Sequence, residues 1–411
     1  MSKKIVMKFG GTSVATPERI QHVAKRIMSQ KLSGYEVIVV VSAMGKTTDQ
    51  LVHLAQSITS TPSKREMDML LATGEQVTIA LLTMALHELE VEAKSFTGSQ
   101  AGIITESVHR NARIEEMNVC KILQTIENGT IAIVAGFQGV DIDGEITTLG
   151  RGGSDTTAVA LAAAIHAERC DIYTDVDGVY SCDPRYVTSA RKLEEISYDE
   201  MLELANLGAG VLHPRSVEFA KNYQLPLRVR SSMASDEGTL VLEETEMEKN
   251  QVVRGVAFEK EIVRMTISYV KPFNGSLAKI FTTLAKHHVN VDIIVQSIQE
   301  GIAPSVSFSI KNEDFADAMA VLQQEKDALG YTSLDFEAGL SKVSIVGSGM
   351  VSNPGVAAQM FDRLRVEGIP IKMVSTSEIK VSVVVPQEQM VQAAEVLHEE
   401  FHLHEVLENV N

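Results

Sequence analysis

Two glycine-rich turns, each carrying one cationic residue, are the strongest chemical signal in the chain. The first, Lys8-Phe9-Gly10-Gly11-Thr12-Ser13, follows the apolar segment Ile5-Val6-Met7. The second, Gly150-Arg151-Gly152-Gly153-Ser154-Asp155, runs into an alanine-rich stretch over 156–167. Glycine lets backbone N–H groups approach an anion closely, and a helix N-terminus adds a favourable dipole. Open α/β sheets place ligands at the C-terminal ends of their strands, where Lys8 is expected. A guanidinium such as that of Arg151 takes a carboxylate through two parallel hydrogen bonds. Phosphates and a small anionic co-substrate held side by side would use both turns, which is the arrangement a kinase for a small acid needs. Each residue also has a plainer reading. Lys8 is equally a solvated strand-end lysine, and Asp155 is either an acid favoured by the first turn of a helix or the group that organises Lys8 or a magnesium ion.

Further candidates surround these turns. Glu75 sits among Leu70, Leu71, Val77, Ile79, Leu81 and Leu82, so its charge calls for a partner such as a substrate ammonium. Ser42 and Thr48 flank the turn after a second apolar run and offer hydroxyls, or serve as turn and cap residues. Thr174-Asp175-Val176-Asp177-Gly178-Val179-Tyr180, then Asp183-Pro184-Arg185, reads as another strand-end loop. There Tyr180 is placed to cover a purine and Arg185 to reach a phosphate, with a plain Asp-Gly turn as the simpler reading. Gly210-Val211 before His213-Pro214 is ambiguous in the same way, and His213 reads as structural. Known nucleotide motifs fail: Val40 stands where the first Walker A glycine belongs, and Ser352 replaces the third glycine of a dinucleotide fingerprint around Gly347-Ser348-Gly349.

Positioning such turns takes a sizeable scaffold. The chain has 411 residues, 45% of them hydrophobic and 22% charged, enough for two or three domains with buried cores. A formal charge of −17 argues against a nucleic-acid surface and leaves attraction of an anionic substrate to local cations. The three cysteines, Cys120, Cys170 and Cys182, lack metal-ligand spacing and read as reduced thiols. No apolar run suggests a membrane span, and Met1-Ser2-Lys3-Lys4 leads into a strand rather than a signal peptide, so a cytoplasmic protein is expected.

Strand-like and helix-like segments alternate over the first 240 or so residues. Residues 37–41 and 131–135 are continuous Val/Ile-rich runs, as in strands covered on both faces. Thr16-Pro17 predicts a helix start, and Ser63-x-x-Glu66 and Ser197-x-x-Glu200 read as capping boxes. Asp143-Gly144 predicts a hairpin just before the second turn. The expectation is an α/β helix–sheet–helix sandwich with a largely parallel sheet. The charged run 243–250 reads as a linker. Beyond it the chain repeats itself: Ala278, Phe281 and Leu284 match Ala358, Phe361 and Leu364 at an offset of 80, and Val306-Ser307 and Leu322 match Val381-Ser382 and Leu397 at an offset of 75. Each unit reads strand, glycine turn, helix, strand, strand, helix, a small ferredoxin-like α+β module present twice.

The segments KFGGTS, SAMGKTTD, REMDMLLATGEQ, TLGRGGSDTTA and YTDVDGVYSCDPR, with the doubled module, resemble the monofunctional aspartokinases of the lysine-regulated type. The resemblance implies a catalytic amino-acid-kinase domain over 1–242, a linker over 243–250 and ACT regions over 251–340 and 341–411, the later one completed by a strand from 251–262. It implies transfer of the γ-phosphoryl of MgATP to the β-carboxylate of L-aspartate, giving 4-phospho-L-aspartate on the way to lysine, threonine and methionine, with no tightly held protein metal. Lys8 and Asp155 would be catalytic. Arg151 would hold the substrate α-carboxylate and Glu75 its ammonium, with Ser42, Thr48, Gly152, Gly153 and Ser154 completing the pocket. Lys8, Phe9, Gly10, Gly11, Thr174, Asp175, Tyr180, Arg185, Gly210 and Val211 fall where the family contacts ATP, Gly10 and Gly11 through their N–H groups. Effector sites for lysine, with or without threonine, would involve Asn274, Gly275, Ser276, Ala278, Asp292 and Gln296 in the first module, and Asn353, Val356, Ala357, Ser375, Thr376 and Glu378 in the second. The first module has Asn274-Gly275 where the second keeps Pro354-Gly355. ACT pairing would give a homo-oligomer, or a hetero-oligomer with a short subunit started near Met247. Another acidic acceptor, or a sensor with an idle kinase domain, remains the alternative.

Overall fold

Residues 3–208, 210–243, 251–269, 276–297 and 304–405 are described by the computed structural model. They form two compact units, one of residues 1–179, 192–206 and 210–247, the other of residues 180–191, 207–209 and 248–411.

In the first unit, β1 (Lys4–Phe9), α1 (Pro17–Leu32), β2 (Glu36–Val41), α2 (Thr47–Ile58), α3 (Lys64–Leu71), α4 (Thr73–Glu88) and β3 (Ala93–Phe96) follow one another. Then come β4 (Ile103–Thr105), β5 (Ile114–Met117), α5 (Cys120–Glu127), β6 (Ile131–Ala135), β7 (Gln138–Val140), β8 (Ile146–Thr148) and α6 (Gly153–Ala164). The unit closes with β9 (Arg169–Thr174), β10 (Glu195–Ser197), α7 (Tyr198–Asn206), α8 (Pro214–Asn222), β11 (Leu227–Ser231) and β12 (Thr239–Leu242). The main sheet runs β10-β12-β11-β9-β1-β2-β6-β3, and a small one runs β5-β4-β7-β8. Every pair in the main sheet is parallel except β11 with β12. The sandwich expected from the alternating pattern is therefore present.

Strand alternation decides which way Lys8 points. Ile5, Met7 and Phe9 share a core with Val37, Val39 and Val41, covered by Ile20, Val23 and Ile27 of α1 and Ile79, Leu82 and Leu86 of α4. Successive strand side chains take opposite faces, so Lys8 joins the face against which α6 packs on β1 and β9. The purely apolar central strands are thus explained by cover on both sides.

Local capping signals hold at two helix starts and fail at a third. Thr16 caps α1 by accepting the Arg19 N–H at 3.4 Å, with Pro17 at the first helical position. Ser197 and Glu200 form the reciprocal capping box, each side chain accepting the other's N–H at 3.3 Å. Ser63 makes no such bond; the neighbouring Glu66 instead pairs with Arg65 at 2.6 Å. A break at Ala72 separates α3 from α4, so Glu75 lies in a first helical turn rather than deep in one long helix. Val77 and Leu81, expected to enclose it, are exposed, whereas Leu71, Ile79 and Leu82 are buried. The stretch Lys64–Glu88 is long and apolar enough to cross a membrane by length and composition, but its Ile79, Leu82 and Leu86 belong to the protein core.

In the second unit, β13 (Gly255–Ser268), α9 (Ser276–Lys286), β14 (Ile294–Ser297), β15 (Ser305–Lys311), α10 (Phe315–Gln324), α11 (Lys326–Leu329) and β16 (Ser333–Val346) lead into the second copy. That copy continues as α12 (Val356–Val366), β17 (Met373–Thr376), β18 (Lys380–Pro386) and α13 (Met390–Glu400). Helices α9 and α12 begin 80 residues apart, β15 and β18 75 apart, as the repeat requires. One antiparallel sheet, β14-β15-β13-β16-β18-β17, joins both copies. Its two long central strands are shared. Residues 262–268 of β13 pair with β15, while Gly255–Glu259 pair with Val346–Lys342, the half of β16 that carries β18.

The second module's core also includes Cys182 and Val187. Residues 180–191 thus leave the first unit's run of sequence to pack in the second. Val256 donates its N–H to Ser181 O at 2.7 Å, and the buried His398 of α13 lies 2.9 Å from Ser181 Oγ and 3.3 Å from Ser189 Oγ. Burial pushes the His398 pKa down to about 4, so the ring is neutral.

Candidate active site

The two glycine turns converge on Lys8. Its ammonium lies 2.6 Å from Asp155 Oδ1, with the lysine side chain 10% and the aspartate side chain 14% exposed. The register fixes one partner, because Lys8 is aligned with Val40 and Ile172 in the centre of the parallel sheet. Helix α6 fixes the other by placing Asp155 in its first turn. Charges this poorly solvated depend on each other, since removing one strands the other.

The first turn then interlocks with the loop after β2. Gly45 donates its N–H to Gly11 O at 3.0 Å, and Ser42 to Phe9 O at 3.1 Å. A Cβ on Gly11 would sit 2.8 Å from Ala43 O, so only glycine permits the approach. Ala43 in turn donates its N–H to Glu75 Oε1 at 3.1 Å. Glu75 is buried, and burial pushes its pKa up to about 7 against the pull of backbone N–H groups. Its Oε2 has no hydrogen-bond partner. A buried carboxylate with one oxygen unused is suited to receive a cationic group from a ligand.

The second turn is shaped by what presses on it. Gly152 has φ +68°, and a Cβ there would fall 2.2 Å from His213 Cγ. His213 caps α8 by accepting the Arg215 N–H at 3.3 Å. Burial holds its pKa below the usual histidine value, opposed by the negative charge of Asp155. Gly136 and Phe137 wall the turn: a Cβ on Gly136 would meet that of Ser154 at 2.8 Å, and one on Gly153 would meet the Phe137 ring at 2.8 Å. Phe137 holds φ +69° and donates its N–H to Thr157 Oγ1 at 3.2 Å. Arg151 itself is exposed on this turn. The assembly thus holds a cation, a paired carboxylate and a half-used carboxylate near the C-terminal ends of the central strands, with an exposed guanidinium on the turn that carries the paired carboxylate. It has the parts for holding a zwitterionic acid next to a phosphate chain.

Residues 3–231 match the Amino acid kinase family, and residues 272–325 and 343–401 match an ACT domain. The chain is 63% identical over 399 residues to an aspartokinase of Bacillus sp. strain MGA3, covering 97% of each chain. It is 62% identical over 399 residues to aspartokinase 2 of Bacillus subtilis strain 168, covering 97% of this chain and 98% of that one. The chain belongs to the aspartokinase family. Among solved structures it is similar to E. coli aspartokinase III with aspartate and ADP, at 28% identity and TM-score 0.81, covering 97% of this chain and 99% of that one. The same enzyme with lysine and aspartate gives 28% identity and TM-score 0.80, covering 97% and 100%.

Against this aspartokinase background, Lys8, Gly10, Gly11, Ser42, Glu75 and Asp155 lie in one connected network, with Arg151, Gly152, Gly153 and Ser154 on the turn that carries Asp155. Gly10 departs from expectation: its N–H is used on Tyr173 O at 3.2 Å. Phe9 stacks on Tyr173 with centroids 4.6 Å apart and belongs to the core. Thr48 is half-buried near the start of α2. Thr174 ends β9 with its hydroxyl 3.0 Å from Asp175, and Gly210 and Val211 precede α8. Tyr180 and Arg185 lie in the second unit, where Asp183 grips the Arg185 guanidinium at 2.7 Å.

Of the effector candidates, Asn274 and Gly275 lie outside the described residues, as does Met247. Ser276 opens α9, on which Ala278 also lies, and Gln296 lies on β14. Val356 and Ala357 open α12, Asn353 precedes it, Ser375 and Thr376 lie on β17, and Glu378 follows. Asp292 is already ion-paired with Lys342, which also lies 2.8 Å from Glu259. His213, Phe137 and the buried Asp68 were not singled out by sequence as site residues. His-Pro and Gly-Phe at strand and helix boundaries were the available signals for the first two.

Among the described residues no three His, Cys, Asp or Glu side chains are grouped to hold a metal. Cys170 and Cys182 are free and buried, and burial raises both thiol pKa values, that of Cys182 to about 12.

Proposed function

We propose that the protein transfers the γ-phosphoryl of MgATP to the β-carboxylate of L-aspartate, giving 4-phospho-L-aspartate for lysine, threonine and methionine synthesis. The observation that carries this reading is the Lys8–Asp155 pair where both glycine turns meet. Phosphoryl transfer asks the protein for positioning and charge stabilisation, with no nucleophilic side chain, because the substrate carboxylate attacks directly. Lys8 takes up charge on the transferring group, and Asp155 holds the ammonium at the strand end. Glu75 offers Oε2 to the aspartate ammonium, and Arg151 takes its α-carboxylate. Magnesium arrives with the nucleotide as part of the substrate. Thr174, Asp175, Gly210 and Val211 serve the nucleotide.

Lysine, alone or with threonine, is the effector in this reading, acting through the ACT repeat and its pairing between copies. An effector must bind two global states unequally, and E. coli aspartokinase III has been solved with lysine and aspartate in a state named T. The domain divisions near 243–250 and near 340 belong to the same proposal, as does a cytoplasmic setting, which suits free thiols. Steady-state assays with ATP and aspartate, with and without lysine and threonine, test it. Lys8→Ala abolishes turnover, and Arg151→Ala raises the KM for aspartate; an unchanged KM would remove Arg151 from the site. Lysine at millimolar level that neither inhibits nor stabilises would remove it as the effector.

A further inference from the structure

The second glycine turn rests on a carboxylate that makes no contact with the site itself. Asp68, in α3, is 0% exposed. Its Oδ1 accepts the Thr148 hydroxyl at 2.6 Å, and its Oδ2 accepts the Arg110 N–H at 3.0 Å and lies 2.9 Å from His109 Nδ1. Thr148 ends β8, two residues before Gly150. Arg110 and Asn111 lie against the turn from the other side: a Cβ on Gly150 would fall 2.7 Å from Asn111 Oδ1 and 3.2 Å from Arg110 O. Arg110 is held at φ +77°, a conformation that side chains other than glycine rarely adopt. Arg215 closes the frame, donating to Leu149 O at 2.7 Å and Ala112 O at 3.3 Å. Ala112 donates its own N–H to Thr148 O at 2.9 Å.

We infer that Asp68 is a positioning residue for aspartate recognition: one buried carboxylate fixes both walls of the turn from which Arg151 projects. The inference rests on the reading that Arg151 binds the substrate carboxylate. A buried anion is held in place by donors on each side, and its loss leaves those donors unsatisfied. The strained Arg110 backbone and the Thr148 strand end are then free to relax, and Arg151 loses its aim. Misplacement of about 1 Å at a distance from the chemistry is enough to lower a rate by about a hundredfold.

The test is a double-substitution cycle read in separate KM values. Asp68→Asn turns one acceptor edge into a donor facing donors. It is expected to raise the KM for aspartate about tenfold while moving the KM for MgATP less than about twofold. In an Arg151→Ala background the same change is expected to add less than about twofold, because its effect runs through Arg151. Should Asp68→Asn fail to fold, Thr148→Val, which removes one arm only, is expected to give the same selective pattern at about threefold. Equal rises in both KM values, a silent Asp68→Asn or Thr148→Val beside an effective Arg151→Ala, or full additivity would each overturn the inference. A silent Arg151→Ala would instead overturn the substrate reading on which it rests.

Discussion

Glu75→Gln separates the stability cost of a buried carboxylate from its use. The Glu75 pKa is raised from the ordinary 4.5 to about 7, chiefly by burial. The folded state therefore binds more protons than the unfolded state between those values, and stability falls as pH rises through that window. Each pKa unit is worth about 1.4 kcal/mol, so the penalty above pH 7 is roughly 3 kcal/mol. Below about pH 4.5 it vanishes, because the group is protonated in both states. Glutamine keeps the acceptor for the Ala43 N–H and removes the titration. Urea unfolding followed by circular dichroism is expected to find Glu75→Gln more stable than the parent at pH 8, with the gap closing towards pH 5. Aspartate recognition moves the other way. The parent KM for aspartate falls as Glu75 ionises through about pH 7, whereas Glu75→Gln has a KM higher by roughly 10–100-fold and independent of pH over that range. A stability gap that is constant with pH, or KM profiles that run parallel, would refute the assignment of both the pKa and the ammonium contact.

Three further outcomes follow from the geometry. Gly152→Ala places a methyl group against His213 at a positive φ and is expected to cost about 2–4 kcal/mol in urea titration and to raise the KM for aspartate; His213→Ala in the same chain relieves the clash but not the backbone cost. Lys342→Met frees Asp292 from its internal ammonium, so lysine no longer competes with it, and the inhibition midpoint for lysine falls while uninhibited kcat stays within about twofold; a weaker response to lysine would remove Asp292 from the effector site. In native protein a thiol reagent modifies the exposed Cys120 first, and Cys170 and Cys182 react only after denaturant is added, as mass spectrometry of the modified peptides will report.

Lys8, Asp155 and the glycine turns were legible because their demands on residue type are local: glycine where backbones approach closely, a cation at a strand end, an acid in a first helical turn. Which face Lys8 takes was not legible, because Ile5-Val6-Met7-Lys8-Phe9 is buried on both sides of the strand. Spacing made the doubled module legible, since the same helices and strands recur at two constant offsets. What stayed hidden depends on distant partners. Asp68 looks like any surface acid of a helix until Thr148 and Arg110, about eighty and forty residues on, supply its donors. The break at Ala72 carries neither glycine nor proline, and Ser63 had the right residue for a cap without the bond. Nothing local in residues 180–191 marks them for the second unit; that placement follows from apolar contacts with residues about two hundred positions later.

That stray segment changes what a shortened version of this chain would be. A polypeptide begun at Met247 would hold every strand and helix from β13 to α13 yet arrive without Cys182 and Val187, leaving a greasy notch open to water beside α13. The neutral imidazole of His398 would lose both hydroxyl neighbours and part of the cover whose burial keeps it uncharged near pH 5. Such a fragment would be thirsty for a substitute strip of chain, and the full-length polypeptide carries one.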